Sequence, residues 1–174
     1  MVCKQIENAI NEQIKNELYS SYLYLSMSAW FSARDLNGMA NWMRVQAKEE
    51  DAHAMMMYDY LLEHGNRVEL RALDAPPAEF KSPLDIFEQA YRHELKVTKM
   101  IRDLHALARE HGDPATEIFI SWYVTEQVEE ESNADDIIQQ LKLVGDKGNG
   151  VILMDRKLAQ RVFVPPPAYT GGAA

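Results

Sequence analysis

The chain has 174 residues, 47% of them apolar, and a formal net charge of −9. This length suits one domain with a full core, and the acidic balance excludes a nucleic-acid grip, which needs a basic surface. A single cysteine, Cys3, excludes an internal disulfide framework and fits a reducing compartment; with no apolar h-region in Met1 to Asn8 and no apolar run near the ~20 residues of a membrane span, a cytoplasmic setting with no membrane partner is expected.

Glycine and proline are sparse and clustered, and they divide the chain into long helical segments. The first helix is expected from about Cys3 to Ala33, followed by a tight turn at Asn37-Gly38. The second runs to about His64, where Gly65 and Asn66 supply a residue tolerant of positive φ. From Arg67 to Lys81 the periodicity lapses around Ala75-Pro76-Pro77. Ser82-Pro83 reads as an N-cap with proline at the first helical position, opening a third helix that Gly112 stops. Asp113-Pro114 repeats the signal for a fourth helix, which continues to about Val144. A short fifth helix is expected over Val151 to Gln160. The folded unit is then residues 1–163, and 164–174 form a Pro/Gly-rich tail, expected to be non-helical and disordered at its Gly-Gly-Ala-Ala end.

Four helices of about thirty residues with one long central connection describe an all-α four-helix bundle of the single-crossover topology. Turning each residue by about 100° places Glu17 on one face with Ile10, Ile14, Tyr24 and Phe31. Glu50 and His53 share a face with Met43, Gln46, Met57 and Leu61, and Glu94 shares one with Phe87, Val97 and Ile101. Glu126, Gln127 and Glu130 share a face with Tyr123, Ala134 and Leu141. Glu17, Glu50, Glu94 and Glu130 each sit near mid-helix, so four acids are expected to meet in the waist of the bundle.

One glutamate on an apolar face is ordinarily an edge residue that snorkels to water. Four at matched depth are not explained that way, because a buried carboxylate is costly without a cation. Shared protons would neutralise some of them. No lysine or arginine occupies the stripes, and two divalent ions would balance four carboxylates. Glu50 and His53 add a Glu-x-x-His spacing, one turn apart. Di-iron carboxylate bundles use a glutamate from each of two helices and a Glu-x-x-His from each of the other two. The second such motif is incomplete here: Asn133 stands three residues after Glu130, and Gln127 is the nearest polar substitute.

At this point the chain resembles the bacterial non-haem ferritins. The resemblance runs from Asn11 to Leu158 and rests on Asn11-Glu12-Gln13, Glu17-Leu18-Tyr19-Ser20-Ser21, Met27-Ser28-Ala29-Trp30, Gln46-Ala47-Lys48-Glu49-Glu50 and the stretch Trp122 to Glu131. It implies a ferritin-like four-helix bundle with an inward-turned fifth helix, assembled as a hollow cage of 24 subunits. It also implies a ferroxidase centre whose first iron site matches Glu17, Glu50 and His53. The second site matches Glu50, Glu94 and Glu130, with Gln127 beside the pair. A third, outer iron site would use Glu49, Glu126, Glu129 and Glu130. Tyr24 and Trp122 match aromatic residues next to the centre. Haem is not expected, because Asp51 stands where haem-binding relatives carry a methionine. Rubrerythrin-like relatives need a cysteine-ligated module that one cysteine cannot build.

The expected activity is iron storage through oxidation of Fe²⁺ by O₂ or H₂O₂, with ferric mineral laid down inside the cage. Two alternatives stay open on the residues alone: a di-iron enzyme acting on an organic substrate, and a structural bundle with protonated acids. The acid-rich run Glu126 to Glu131 could equally be a solvated face. Glu117 could line an ion channel or serve the helix dipole. His64, His93, His105 and His111 lack convergent acids and are expected to be structural or exposed.

Overall fold

A computed structural model describes residues 1–145 and 148–166. Its helices are α1 (Lys4–Ser32), α2 (Asn37–Glu63), α3 (Pro83–Glu110), α4 (Pro114–Val144) and α5 (Asn149–Leu158), and no strand occurs among the described residues. The cap signals act as their chemistry dictates. The Ser82 hydroxyl accepts the Asp85 amide N–H at 3.1 Å, and the Asp113 carboxylate accepts the Thr116 amide N–H at 3.0 Å. Each opens a helix with proline in its first turn.

The turn between α1 and α2 lies earlier than expected. It is Ala33 to Leu36, with Asp35 in the left-handed region at φ 59°, a conformation that aspartate tolerates better than most residues. Asn37 and Gly38 are already helical. Gly38 is small for another reason: a Cβ there would lie 1.7 Å from the carbonyl oxygen of Asp155 in α5. The fifth helix is thus seated directly on the start of α2, and the Asp155 carboxylate accepts the Met39 amide N–H at 2.8 Å. It also begins two residues before its expected start.

Short turns pair α1 with α2 and α3 with α4, and α1 packs on α3 to join the two hairpins. The connection from His64 to Ser82 is laid along α1. Asn66 bonds both the amide and the carbonyl of Val2, and Asn11 bonds the carbonyl of Arg67 and the amide of Glu69. Further on, Ser26 donates to the Pro77 carbonyl at 2.6 Å, and Phe80 packs edge-on against Trp30. Those bonds satisfy backbone groups that a loop running along a helix would otherwise leave open.

Two apolar clusters fill the bundle. One gathers Met27, Phe31, Met43, Phe87 and Leu141. The other gathers Ile10, Ile14, Met57, Val97 and Tyr123. Glu17, Glu50, Glu94 and Glu130 fall between these clusters in the sequence of their helices, so this polar layer is held between apolar layers. Beyond α5 the chain turns back along α2, with Pro166 buried; the rest of the expected disordered tail lies outside the described residues.

Candidate metal centre

Glu17, Glu50, Glu94 and Glu130 lie on α1, α2, α3 and α4, and each is at most 4% exposed. Ligand atoms of Glu17, Glu50 and His53 all lie within 4.8 Å of one another. Glu50 Oε2 is 3.7 Å from His53 Nδ1. Gln46 Nε2 donates to Glu130 Oε2 at 2.6 Å and reaches Glu50 Oε1 at 3.3 Å, linking α2 to α4. Gln127 Nε2 donates to Glu94 Oε2 at 3.1 Å and is 3.2 Å from Thr98 Oγ1. Tyr24 donates its hydroxyl to Glu94, and Gln13 Nε2 donates to Glu17 Oε1 at 2.9 Å.

Burial is the largest influence on all four acids and raises each above the usual carboxylate range. Mutual repulsion adds to it. The charge of Glu50 lifts Glu17, those of Glu94 and Glu130 lift Glu50, and that of Glu94 helps to push Glu130 up to about 8. Hydrogen bonds from Tyr24 and Gln127 oppose the rise at Glu94. With no cation beside them, burial and mutual repulsion therefore favour the protonated form of these side chains.

Two polar atoms of this layer remain unpaired. Glu17 Oε2 and His53 Nε2 are fully buried without a hydrogen-bond partner, whereas buried polar atoms are ordinarily paired. Both residues belong to the cluster with Glu50. Carboxylate oxygens joined by one imidazole suit a first-row transition ion. The imidazole is also held in place: Tyr123 donates to the His53 carbonyl at 2.9 Å, and the His53 ring meets Trp122 and Tyr123 edge-on at 5.4 and 5.8 Å between centroids.

A ferritin-like domain model matches residues 7–144, the span that carries this centre. The chain belongs to the ferritin family. It is 40% identical to a bacterial non-heme ferritin of Bacteroides fragilis over 92% of its own length and 100% of the relative's. A bacterial non-heme ferritin of Campylobacter jejuni is 41% identical over 90% of this chain and 93% of the relative. An open pore ferritin from the hyperthermophilic archaeon Archaeoglobus fulgidus superimposes with a TM-score of 0.91 at 46% identity, covering 92% of this chain and 98% of the other. The all-α ferritin bundle with a short fifth helix, expected from the sequence, is the fold observed.

On the outer side of this ferritin's centre, Glu49, Glu126 and Glu129 line a cleft of about 450 Å³, together with His53, Trp122 and Asn133. Glu49 and Glu126 are half-buried and Glu129 is exposed. Burial raises the carboxyls of Glu49 and Glu126. Glu126, expected on the inward stripe, instead faces the cleft, because Gln127 and Glu130 occupy the buried strip of α4. Asn133 lies on the cleft wall.

Several side chains around the centre bond in ways that helical periodicity does not reveal. Periodicity puts Gln46 on the α2 stripe but contains neither its bridging amide nor the bonds of Gln13 and Tyr123. Arg161 could not be found from the helical stripes, since it stands beyond α5. Its NH1 donates to Gln46 Oε1 at 2.7 Å and its NH2 to Glu49 Oε2 at 2.5 Å. Elsewhere, Glu117 is bound by Arg109 at 2.6 Å and lies 3.9 Å from His105, so His105 does meet an acid. His93 meets Ser20 Oγ at 2.7 Å, and burial lowers its pKa to about 4, so it stays neutral.

Proposed function

We propose that this ferritin is an iron-storage protein and a ferroxidase that oxidises Fe²⁺ with O₂ or H₂O₂. We further propose that it lays down ferric oxyhydroxide inside a hollow cage of 24 subunits in the cytoplasm. The observation that carries this reading is the buried cluster of Glu17, Glu50 and His53, in which Glu17 Oε2 and His53 Nε2 have no hydrogen-bond partner. A site meant only to hold protons would not leave polar atoms of two of its members unpaired.

Iron is substrate here. One ferrous ion would be taken by Glu17, Glu50 and His53, and a second by Glu50, Glu94 and Glu130, so that Glu50 bridges them. Ion binding displaces the carboxyl protons that burial retains. Each Fe²⁺ gives up one electron; a pair thus supplies the two electrons that, with two protons, turn O₂ into H₂O₂. Carboxylate oxygens favour the harder ferric product. Tyr24 holds Glu94 and Gln127 sits beside it, while Gln46 holds Glu130, so the acids are oriented before iron arrives. The second site has no nitrogen donor, because Asn133 replaces histidine. We infer that this weaker hold lets ferric iron move toward the interior instead of remaining as a fixed cofactor. Glu49, Glu126, Glu129 and Glu130 form the outer site on that path, and no haem takes part.

Titrating the iron-free protein with Fe²⁺ under air, while sizing the particle, tests oxidation and assembly together. The expected result is oxidation in steps of two irons per subunit, followed by a soluble mineral within one particle size. Dioxygen use that depends on an added organic compound, without retained ferric iron, would favour an enzyme of organic substrates instead.

A further inference from the structure

Arg161 approaches the centre from outside the four long helices. Its guanidinium lies 2.7 Å from Gln46 Oε1 and 2.5 Å from Glu49 Oε2, and its carbon stands 4.3 Å from the centroid of the Trp42 ring. Both members of the ion pair are shielded, with side chains 19% and 16% exposed. Asn41 fixes the backbone beneath by donating to the Arg161 carbonyl at 2.9 Å. The following residues Val162, Val164, Pro165 and Pro166 line the same cleft as Glu49, Glu126 and Glu129. His53, whose Nε2 is buried and unpartnered, also lines it. The cleft therefore has carboxylates of Glu49, Glu126 and Glu129 on its walls and a tethered cation on its rim.

We propose that Arg161 is a positioning residue that fills the cation place at Glu49 in the empty protein and must be displaced before a metal ion binds there. This rests on reading Glu49, Glu126 and Glu129 as an outer iron site. The physical basis is exclusion. Two cations that share one carboxylate a few ångströms apart repel strongly where water is scarce. Arg161 is anchored through Gln46 and Trp42 as well as through charge, so displacing it removes these tethers and leaves the segment that follows held by the Asn41 bond to the Arg161 carbonyl and by the buried Pro166. Ion binding in the cleft and release of the Arg161 side chain are then two sides of one coupling, equal in both directions. The centre would keep its first two ions without disturbing this latch, and only a third would open it.

Titration of the metal-free assembled protein with Co²⁺ under argon, followed by visible absorption and calorimetry, tests this. The wild type should bind two equivalents per subunit tightly and a third weakly. Arg161→Ala should leave the first two in place and tighten the third about tenfold. Arg161→Lys, which keeps the charge but cannot span Gln46 and Glu49 together, should fall between, and it serves if the alanine variant does not assemble. Hydrogen exchange at Val162 to Val164 should accelerate in the wild type on the third equivalent. Adding Glu126→Gln and Glu129→Gln should abolish the third ion. If that double change abolishes it while neither Arg161 variant alters its affinity, the latch is wrong and the outer site stands. If the third ion survives the double change, the outer-site reading itself is wrong and the latch falls with it. A variant that weakens all three equivalents together would show a purely structural role for Arg161 and would also overturn the proposal.

Discussion

At Glu17 the opposing demands of stability and function meet on one side chain. Its Oε1 takes a hydrogen bond from Gln13, and its Oε2 has nothing. Replacing it by glutamine keeps the shape and removes the buried acid. We expect Glu17→Gln to raise the melting temperature of the metal-free protein and to slow ferrous oxidation by roughly tenfold or more. Thermal melts with chelator and stopped-flow oxidation would check this; a variant that is less stable and equally fast would contradict it. The same layer predicts a pH dependence. The Glu130 carboxyl rises from 4.5 to about 8 in the fold, so between these values the folded state holds a proton that the unfolded chain releases. The resulting stabilisation is complete below the lower value and is lost as pH rises through the upper one. Melting of the metal-free protein should therefore fall from pH 5 to pH 8, and divalent metal should flatten the decline. A melting temperature that rises over this range would refute the assignment.

Helix limits were legible wherever a local signal fixes them, as at Ser82-Pro83 and Asp113-Pro114. They were less so where a tertiary contact decides. Asn37-Gly38 has the form of a tight turn, yet Gly38 lies inside α2, with α5 seated against its backbone. No local rule contains that contact. Gly38→Ala would ordinarily favour a helix. Here it forces the Asp155 carbonyl away and breaks the bond to Met39, so we expect a loss of about 1–3 kcal/mol. Chemical denaturation would measure it, and a neutral or stabilising result would mean that α5 is not seated as described. The buried acids were legible for the opposite reason: periodicity alone brings Glu17, Glu50, Glu94 and Glu130 inward. Gln46 and Tyr123 lie on the same stripes, but what they bond depends on side-chain direction across the bundle. Arg161 depends on how the chain returns after α5, and helical periodicity carries no information about that.

Across the whole molecule, apolar layers above and below hold a carboxylate layer that the chain itself leaves incompletely paired. No described helix is long and apolar enough to cross a membrane. The cage follows from the proposed function and has its own consequence. If turnover ends in stored mineral, particles loaded with iron should keep one diameter while their mass increases; ultracentrifugation would show this, and open-ended growth in size would contradict a closed shell. Underneath lies the claim that one ion sits among Glu17, Glu50 and His53 and a second among Glu50, Glu94 and Glu130. Diffraction at the iron absorption edge from crystals soaked in Fe²⁺ tests it most directly. The account predicts two anomalous peaks per subunit with Glu50 between them; an empty waist, or peaks confined to surface acids, would contradict it.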